Sequence, residues 1–252
     1  IKERYGYRPQ FARNHLQINN GDTTFSDLAL QTKTFATDWS WGVLLADFDN
    51  DGWNDIFVPN GIVKRPNDLD YIKYLSNTNY SQFEQTKKDK ARKKIINEMP
   101  TLEIPNLLIH NKGKLGFESI EKSAIGTPGY TTGAAYSDLD NDGDLDLILN
   151  NIDAPAQILE NKKEENKSFT FVLKPNENCP NVVGTKLFFY TNAYTTIKEH
   201  QTVRGFQSAS SAKIHFALPP KGSLDSLKVH WPNGAKQLIK HFDDRLIVIN
   251  PS

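Results

Sequence analysis

Short apolar runs broken by turn residues organise the first half of the chain. Trp41-Gly-Val-Leu-Leu-Ala46 and Asp55-Ile-Phe-Val58, then Ala134-Ala-Tyr136 and Leu145-Asp-Leu-Ile-Leu149, are bounded by Gly, Pro and Asn. Their β-branched and aromatic content predicts short strands. From about Ser168 the apolar period becomes two. Phe169/Phe171/Leu173, Leu187/Phe189, Ile214/Phe216/Leu218, Leu227/Val229/Trp231 and Leu246/Val248 each place apolar side chains on one face. Turn signals at Pro175-Asn176, Pro219-Pro220, Pro232-Asn-Gly234 and Asp243-Asp244 separate these runs. Together they predict a small β-sandwich of about seven strands.

Residues 61–104 interrupt the strand pattern. Asn67-Asp-Leu-Asp70 reads as a helix start with an Asx cap and an acidic first turn, after which Leu69, Ile72 and Leu75 fall on one helical face. A second helical stretch, Gln82 to Glu98, ends before Pro100 and carries the basic cluster Lys87-Lys-Asp-Lys-Ala-Arg-Lys-Lys94. A solvated helix face is the plain reading of that cluster. A contact for an anionic glycan or lipid headgroup is the sharper one, and nucleic acid is the weakest because no aromatics interleave the charges. The expected fold is mainly β, with antiparallel sheets throughout and one helical excursion.

Two acidic loops sit between the paired strands of the first half. Asp47-Phe-Asp-Asn-Asp51-Gly-Trp-Asn-Asp55 recurs 91 residues later as Asp138-Leu-Asp-Asn-Asp142-Gly-Asp-Leu-Asp146. Carboxylates stand at positions 1, 3, 5 and 9 of each loop and glycine at position 6. Two carboxylates about 4.5 Å apart repel by about 3–4 kcal/mol at an effective dielectric near 20. Several converging in one tight turn call for a cation. A hard, oxygen-seeking ion such as Ca²⁺ suits the set, with the position-7 carbonyls of Trp53 and Asp144 as further oxygens. An EF-hand does not fit. It needs a bidentate Glu at position 12 and flanking helices, whereas position 12 here is Val58 or Leu149 and the flanks read as strands.

The repetition extends beyond the loops. Leu16-Gln-Ile-Asn-Asn-Gly21 with Phe25 matches Leu107-Leu-Ile-His-Asn-Lys-Gly113 with Phe117, and Gly42 and Gly133 each precede their loop by five residues. A third copy starts at Ile158-Leu-Glu-Asn161 and breaks off. Units of this kind bury an apolar face only by stacking on neighbours. The pattern resembles the FG-GAP/VCBS repeats of integrin-like β-propellers. That resemblance implies one Ca²⁺ on Asp47, Asp49, Asp51 and Asp55 and another on Asp138, Asp140, Asp142 and Asp146, in a structural role. It also implies repeat blades over residues 1–160, about two blades and the start of a third, with the helical insert at 61–104. A propeller closes with about 4–8 blades. Further blades upstream of a C-terminal fragment are therefore expected, with a small open β-array closed by the last domain as the alternative.

Composition narrows the partners. Lys+Arg and Asp+Glu each total 30 in 252 residues, so no net field favours nucleic acid or an anionic membrane. No apolar run approaches the roughly 18 residues that span a bilayer. The single Cys179 cannot form an internal disulfide. Acidic loops of this type fill where Ca²⁺ is near millimolar, which points outside the cytosol.

Arg204-Gly-Phe-Gln-Ser208, His215-Phe216 and Val229-His-Trp-Pro-Asn-Gly234 resemble the ASPIC/UnbV domain that follows such repeats in cartilage-acidic-protein-like chains. The resemblance implies a second domain over residues 161–252. Ala217 and Pro219 stand where that family usually has glycines after His-Phe. The helical insert and Asp38-Trp-Ser-Trp41 look most like long VCBS surface lipoproteins of Bacteroidetes, some associated with glycan uptake. By that likeness the chain would sit on the outer-membrane exterior and dock a protein or glycan, an outer-membrane uptake complex being one form of partner. No Gly-x-Ser-x-Gly, His-Glu-x-x-His or Cys/His cluster is present, and the histidines at 200, 215, 230 and 241 are scattered. A non-enzymatic binding module is therefore expected, with the non-catalytic portion of a glycan-degrading enzyme as the alternative. Asp38, Trp39 and Trp41 could hold a sugar ring, but packing between blades is the expected place of the tryptophans.

Overall fold

The computed structural model describes Arg4, Gly6 and residues 12–77, 85–162 and 167–251, the side chains of residues 85–89, 91, 92 and 120 excepted. Strands β1 (Gln17–Asn19) and β2 (Phe25–Asp27) form a hairpin. Strands β3 (Leu44–Ala46), β4 (Asp55–Val58), β5 (Ile104–Ile109) and β6 (Ala124–Gly129) form an antiparallel sheet in that order. Strands β7 (Thr131–Ser137), β8 (Asp146–Asn151) and β9 (Gln157–Leu159) form a third. The sheets are thus offset from the sequence repeats. The four-stranded sheet takes β3 and β4 from the first repeat and β5 onward from the second, so each repeat is tied to the next by main-chain hydrogen bonds.

The mainly β architecture matches the expectation of stacked partial blades. Leu44, Ala46, Phe48 and Phe57 pack against Ala134, Leu145, Leu147 and Leu149 between the two larger sheets. On the other face of β4, Ile56 and Val58 meet Leu107 and Ile109, with Leu16 and Phe117 at the margin. Burial on both faces explains why Ile56-Phe57-Val58 is an unbroken apolar run rather than an alternating one.

The insert forms α1 (Leu69–Ser76) and α2 (Gln85–Glu98). Asp68 caps α1, its side chain accepting the Tyr71 N–H at 2.9 Å. The buried face differs from the expected one. Tyr71 is buried and its hydroxyl donates to the Ile95 carbonyl at 2.9 Å, whereas Leu69 and Ile72 are exposed. Contact with the last turns of α2 runs through the tyrosine, which joins apolar ring and polar tip in one side chain. Lys64 donates to the carbonyls of Asn97 and Met99, satisfying acceptors left open where α2 ends. Of the basic cluster, Lys90, Lys93 and Lys94 are exposed, and the remaining basic side chains lie outside the described set.

Among the described residues the C-terminal sandwich has seven strands. One sheet is β13 (Ile214–Ala217), β10 (Ser168–Leu173) and β16 (Leu246–Ile249). The other is β12 (Thr195–Glu199), β11 (Lys186–Thr191), β14 (Leu224–His230) and β15 (Lys236–Ile239). Phe171, Phe189 and Phe216 fill the space between them, Phe189 stacking on Phe216 at 4.1 Å. The alternation read from sequence accounts for these faces. Antiparallel pairing throughout does not hold, because β10 and β16 run parallel from Thr170↔Leu246 to Leu173↔Ile249. The connection after β15 crosses to the opposite sheet instead of turning back as a hairpin, so the direction of β16 is free of hairpin constraint.

Candidate metal centres

Both acidic loops join strands, β3 to β4 and β7 to β8, and no helix flanks either. Asn50 and Asn141 at position 4 have φ of 55° and 64°, and Gly52 and Gly143 at position 6 have φ of 91° and 98°. Asn enters this left-handed region more readily than most residues, and glycine does so freely. In the first loop Asp47 accepts the N–H groups of Asp51 (3.1 Å) and Gly52 (2.8 Å), and Asp51 accepts that of Trp53 (2.9 Å). In the second, Asp142 accepts the N–H of Asp144 at 3.1 Å. These turns bring one carboxylate oxygen each of Asp47, Asp49 and Asp51 within 4.8 Å of one another, and likewise of Asp138, Asp140 and Asp142.

Position 9 has another task in the structure. Asp55 accepts the Phe48 N–H at 3.0 Å with one oxygen and the Asn111 N–H at 2.8 Å with the other. Asp146 repeats this with Leu139 and Asn161, both at 2.9 Å. Each carboxylate fastens its own loop to the strand that opens the next repeat. Asp55 also adjoins Asp49 and His110, whose Nδ1 lies 3.5 Å and 3.8 Å from their oxygens. Hydrogen bonding to Asp55 raises the His110 pKa. Asp146 joins no comparable group among the described residues. At position 7, Trp53 is half-exposed and stacks on Tyr194 at 6.0 Å, while Asp144 is buried.

The electrostatics fit a bound cation. Burial pushes the Asp47 carboxyl up to about 7, helped by the nearby Asp51 and Asp55 charges and opposed by Lys198 and the Gly52 N–H. Burial also raises Asp51 and Asp138. Asp138 Oδ1 is buried with no hydrogen-bond partner among the described residues. Both triads offer oxygen only, at converging positions, with a charge penalty that a hard divalent ion removes. They can hold a metal ion. The first is the more enclosed, with Asp47 and Asp49 buried where Asp140 and Asp142 are exposed.

The C-terminal sandwich closes over both loops. Asn50 donates through Nδ2 to the Gly143 carbonyl (3.1 Å), linking one loop to the other, and its Oδ1 lies 2.8 Å from His215 Nε2. With Oδ1 facing the ring, Nε2 is the protonated nitrogen. Burial holds His215 down to about 3, so it is neutral. Two residues earlier, just before β13, Lys213 donates to Asn141 Oδ1 at 3.0 Å, so the two position-4 asparagines are received two residues apart on one short segment. Arg245 donates to the Asp142 carbonyl (2.7 Å), Ser168 to that of Gly143, and Tyr194 to that of Gly52 (3.4 Å).

The paired glycines serve the same contact. A Cβ on Gly42 would fall 1.8 Å from Phe206 N, and one on Gly133 would fall 3.0 Å from Ser208 Oγ. The Arg204–Ser208 segment therefore lies across both repeats at equivalent points. Trp41 packs on Phe206 at 4.8 Å and donates to the Gly61 carbonyl at 2.6 Å. Trp39 instead lines a separate cleft of about 560 Å³ with Asp38, Arg65 and Asn67. Sequence reasoning named His215 but missed its contact with the first loop, and it missed Lys213 and the two asparagines. Asparagine at position 4 of both loops was the one signal available.

A family model described as an FG-GAP-like repeat matches residues 7–58, the stretch holding β1 to β4 and the first loop. The ASPIC and UnbV model matches residues 175–248, within the sandwich. The chain has the FG-GAP plus ASPIC/UnbV architecture. No curated protein matches it. The second loop lies outside both matched stretches, and its likeness to the first rests on the shared backbone angles and the duplicated position-9 bonds. Neither family is a catalytic one. Among the described residues no helix is long and apolar enough to cross a membrane.

Proposed function

We propose that the protein is a calcium-stabilised, non-enzymatic extracellular module that docks a partner protein or a glycan at the cell surface. The observation that carries this reading is the place of the loops. Both are built into the contact between repeats and sandwich, so an ion in each would fix the relative placement of two binding-capable domains. Asp47, Asp49 and Asp51, with the Trp53 carbonyl, would hold one Ca²⁺; Asp138, Asp140 and Asp142, with the Asp144 carbonyl, would hold the other. Asp55 and Asp146 keep free lone pairs and can complete each shell from behind. Ions enclosed in this way by their own chain have little room for substrate, which favours a structural role.

The Trp39 cleft supports a glycan as the docked ligand, since an indole beside Asp38, Arg65 and Asn67 offers a stacking face with polar neighbours. Two measurements test the proposal. Native mass spectrometry should find two calcium ions, and EDTA should lower the melting temperature; a metal-free chain with a melting curve indifferent to EDTA refutes the calcium assignment. On a glycan array, binding that weakens in Trp39→Ala is expected. Turnover of a polysaccharide by the purified chain would overturn the non-enzymatic assignment in favour of a glycan-degrading enzyme.

A further inference from the structure

A second cavity, of about 300 Å³, lies between the first acidic loop, the Tyr136 end of β7 and the sandwich. Three cationic side chains line it: Lys198, Arg204 and Lys213. Each is held by a neutral group. Lys198 donates to the His215 carbonyl at 2.9 Å, Lys213 to Asn141 Oδ1 at 3.0 Å, and the Arg204 guanidinium lies 6.0 Å from the Tyr136 ring centroid. None of the three forms an ion pair with a carboxylate among the described residues. Two carboxylates also line the cavity. Asp47 already accepts the Asp51 and Gly52 N–H groups, and Glu199 accepts from Gln201.

We propose that this cavity is a binding site for a small oxyanion, free or as the acidic group of a larger ligand. Lys198 is attracted through space by Asp47 and Lys213 by Asp138, neither in a direct ion pair, and the neutral anchors leave ammonium and guanidinium donors for an incoming sulfate, phosphate or carboxylate. Enclosure strengthens such charge-assisted bonds by excluding water. The positive surplus is formally one unit with both carboxylates ionised, and an ion on the first loop would enlarge it by cancelling Asp47. Leu45, Leu145, Ile197 and Ile214 give the remaining wall an apolar surface suited to a short carbon skeleton. The volume lies at the lower end of small-molecule sites. The site is separate from the Trp39 cleft and does not depend on which partner the module docks.

Isothermal titration of the whole chain in calcium-containing buffer of fixed ionic strength tests this, with sodium sulfate, glucuronate and neutral glucose as probes. Saturable sulfate binding identifies a free oxyanion as sufficient. Binding of glucuronate without sulfate identifies the acidic group of a larger ligand. In either case Arg204→Met and Lys213→Met, which keep the apolar stems, should each weaken affinity by about tenfold or more, the loss expected for one charge-assisted bond. Absence of saturable heat with both anions in the wild-type chain overturns the proposal without reference to any variant. Equal affinity for glucose, or unchanged affinity in both variants with wild-type melting curves, overturns it as well.

Discussion

Replacing Asp47 by Asn separates the charge of the first loop from its shape. In the metal-free protein burial pushes the Asp47 carboxyl up to about 7 from its ordinary 3.8. A carboxyl raised on folding binds more protons folded than unfolded between those values, so its contribution to stability falls as pH rises through that window. A shift of roughly three units corresponds to about 4 kcal/mol, complete above neutrality. Asn removes that penalty but also one acceptor. Asp47 receives the N–H groups of both Asp51 and Gly52, and an amide can accept only one without turning its NH₂ toward the other. The lost bond costs about 1–3 kcal/mol at every pH.

The two effects predict a crossing. Without metal, Asp47→Asn should be less stable than wild type near pH 4 and more stable above pH 7, a swing of about 4 kcal/mol or about 8–16 °C in melting temperature. His215, held down to about 3, makes stability rise with pH up to its unfolded value near 6.5. That contribution is common to both proteins and cancels in the difference, as does the raised His110 if its Asp55 contact is kept. Calcium should reverse the order. At 100 times its dissociation constant an ion contributes about 2.7 kcal/mol to wild type, and the variant lacks one of the three carboxylates that receive it. Paired melting curves in EDTA and in calcium, across this pH range, provide the assay. A difference that does not change with pH, or an order that calcium leaves alone, would refute the assignment of Asp47 as a buried charge awaiting a cation.

Gly42→Ala should destabilise by about 3 kcal/mol, because its methyl would meet the Phe206 backbone, whereas Gly133→Ala should cost about 1 kcal/mol since the Ser208 hydroxyl can rotate away; urea midpoints compare them. His215→Ala should cost about 1–3 kcal/mol by stranding Asn50 Oδ1, and should separate the urea transitions of repeats and sandwich as seen by tryptophan fluorescence and far-ultraviolet dichroism. Tyr71→Phe should lose about 0.5–1.5 kcal/mol with its bond to Ile95, read from the same denaturation curves.

Strand placement was legible in the sequence because strands and turns are local signals. The acidic loops with their neighbouring apolar runs placed β3, β4, β7 and β8, and alternation placed the strands of the sandwich. Pairing direction is not local. Nothing in Leu246-Ile-Val-Ile249 says that it will lie beside β10 rather than fold back on β15, and the parallel pair went unread. The helix α1 failed in a similar way. Its three aliphatic positions satisfy helical periodicity, but which face is buried depends on where α2 lies, and the tyrosine with a hydroxyl to place is the side chain that faces it.

The candidate site shows where spacing stops being informative. A 1-3-5-9 carboxylate pattern with glycine at 6 splits into two arrangements in this chain, and sequence gives them one signature. Positions 1, 3 and 5 converge, as metal ligation requires. Position 9 is held by two main-chain N–H groups in both repeats, a structural demand that would select aspartate whether or not it also touches an ion. The interface is more hidden still, because His215 and Asn50 are 165 residues apart and their bond leaves no local trace. What the sequence did display was coincidence between repeats: asparagine at position 4 twice, and glycine five residues before each loop twice. The left-handed backbone at position 4 favours asparagine but does not require its side-chain bonds to Gly143 or Lys213, and neither glycine lies in the loop. The glycines, duplicated outside the loops, are what a third body touching both repeats would impose, and the asparagine side chains meet the same body. In this chain that body is the segment from Lys213 into β13 at His215, together with the Arg204–Ser208 segment before it.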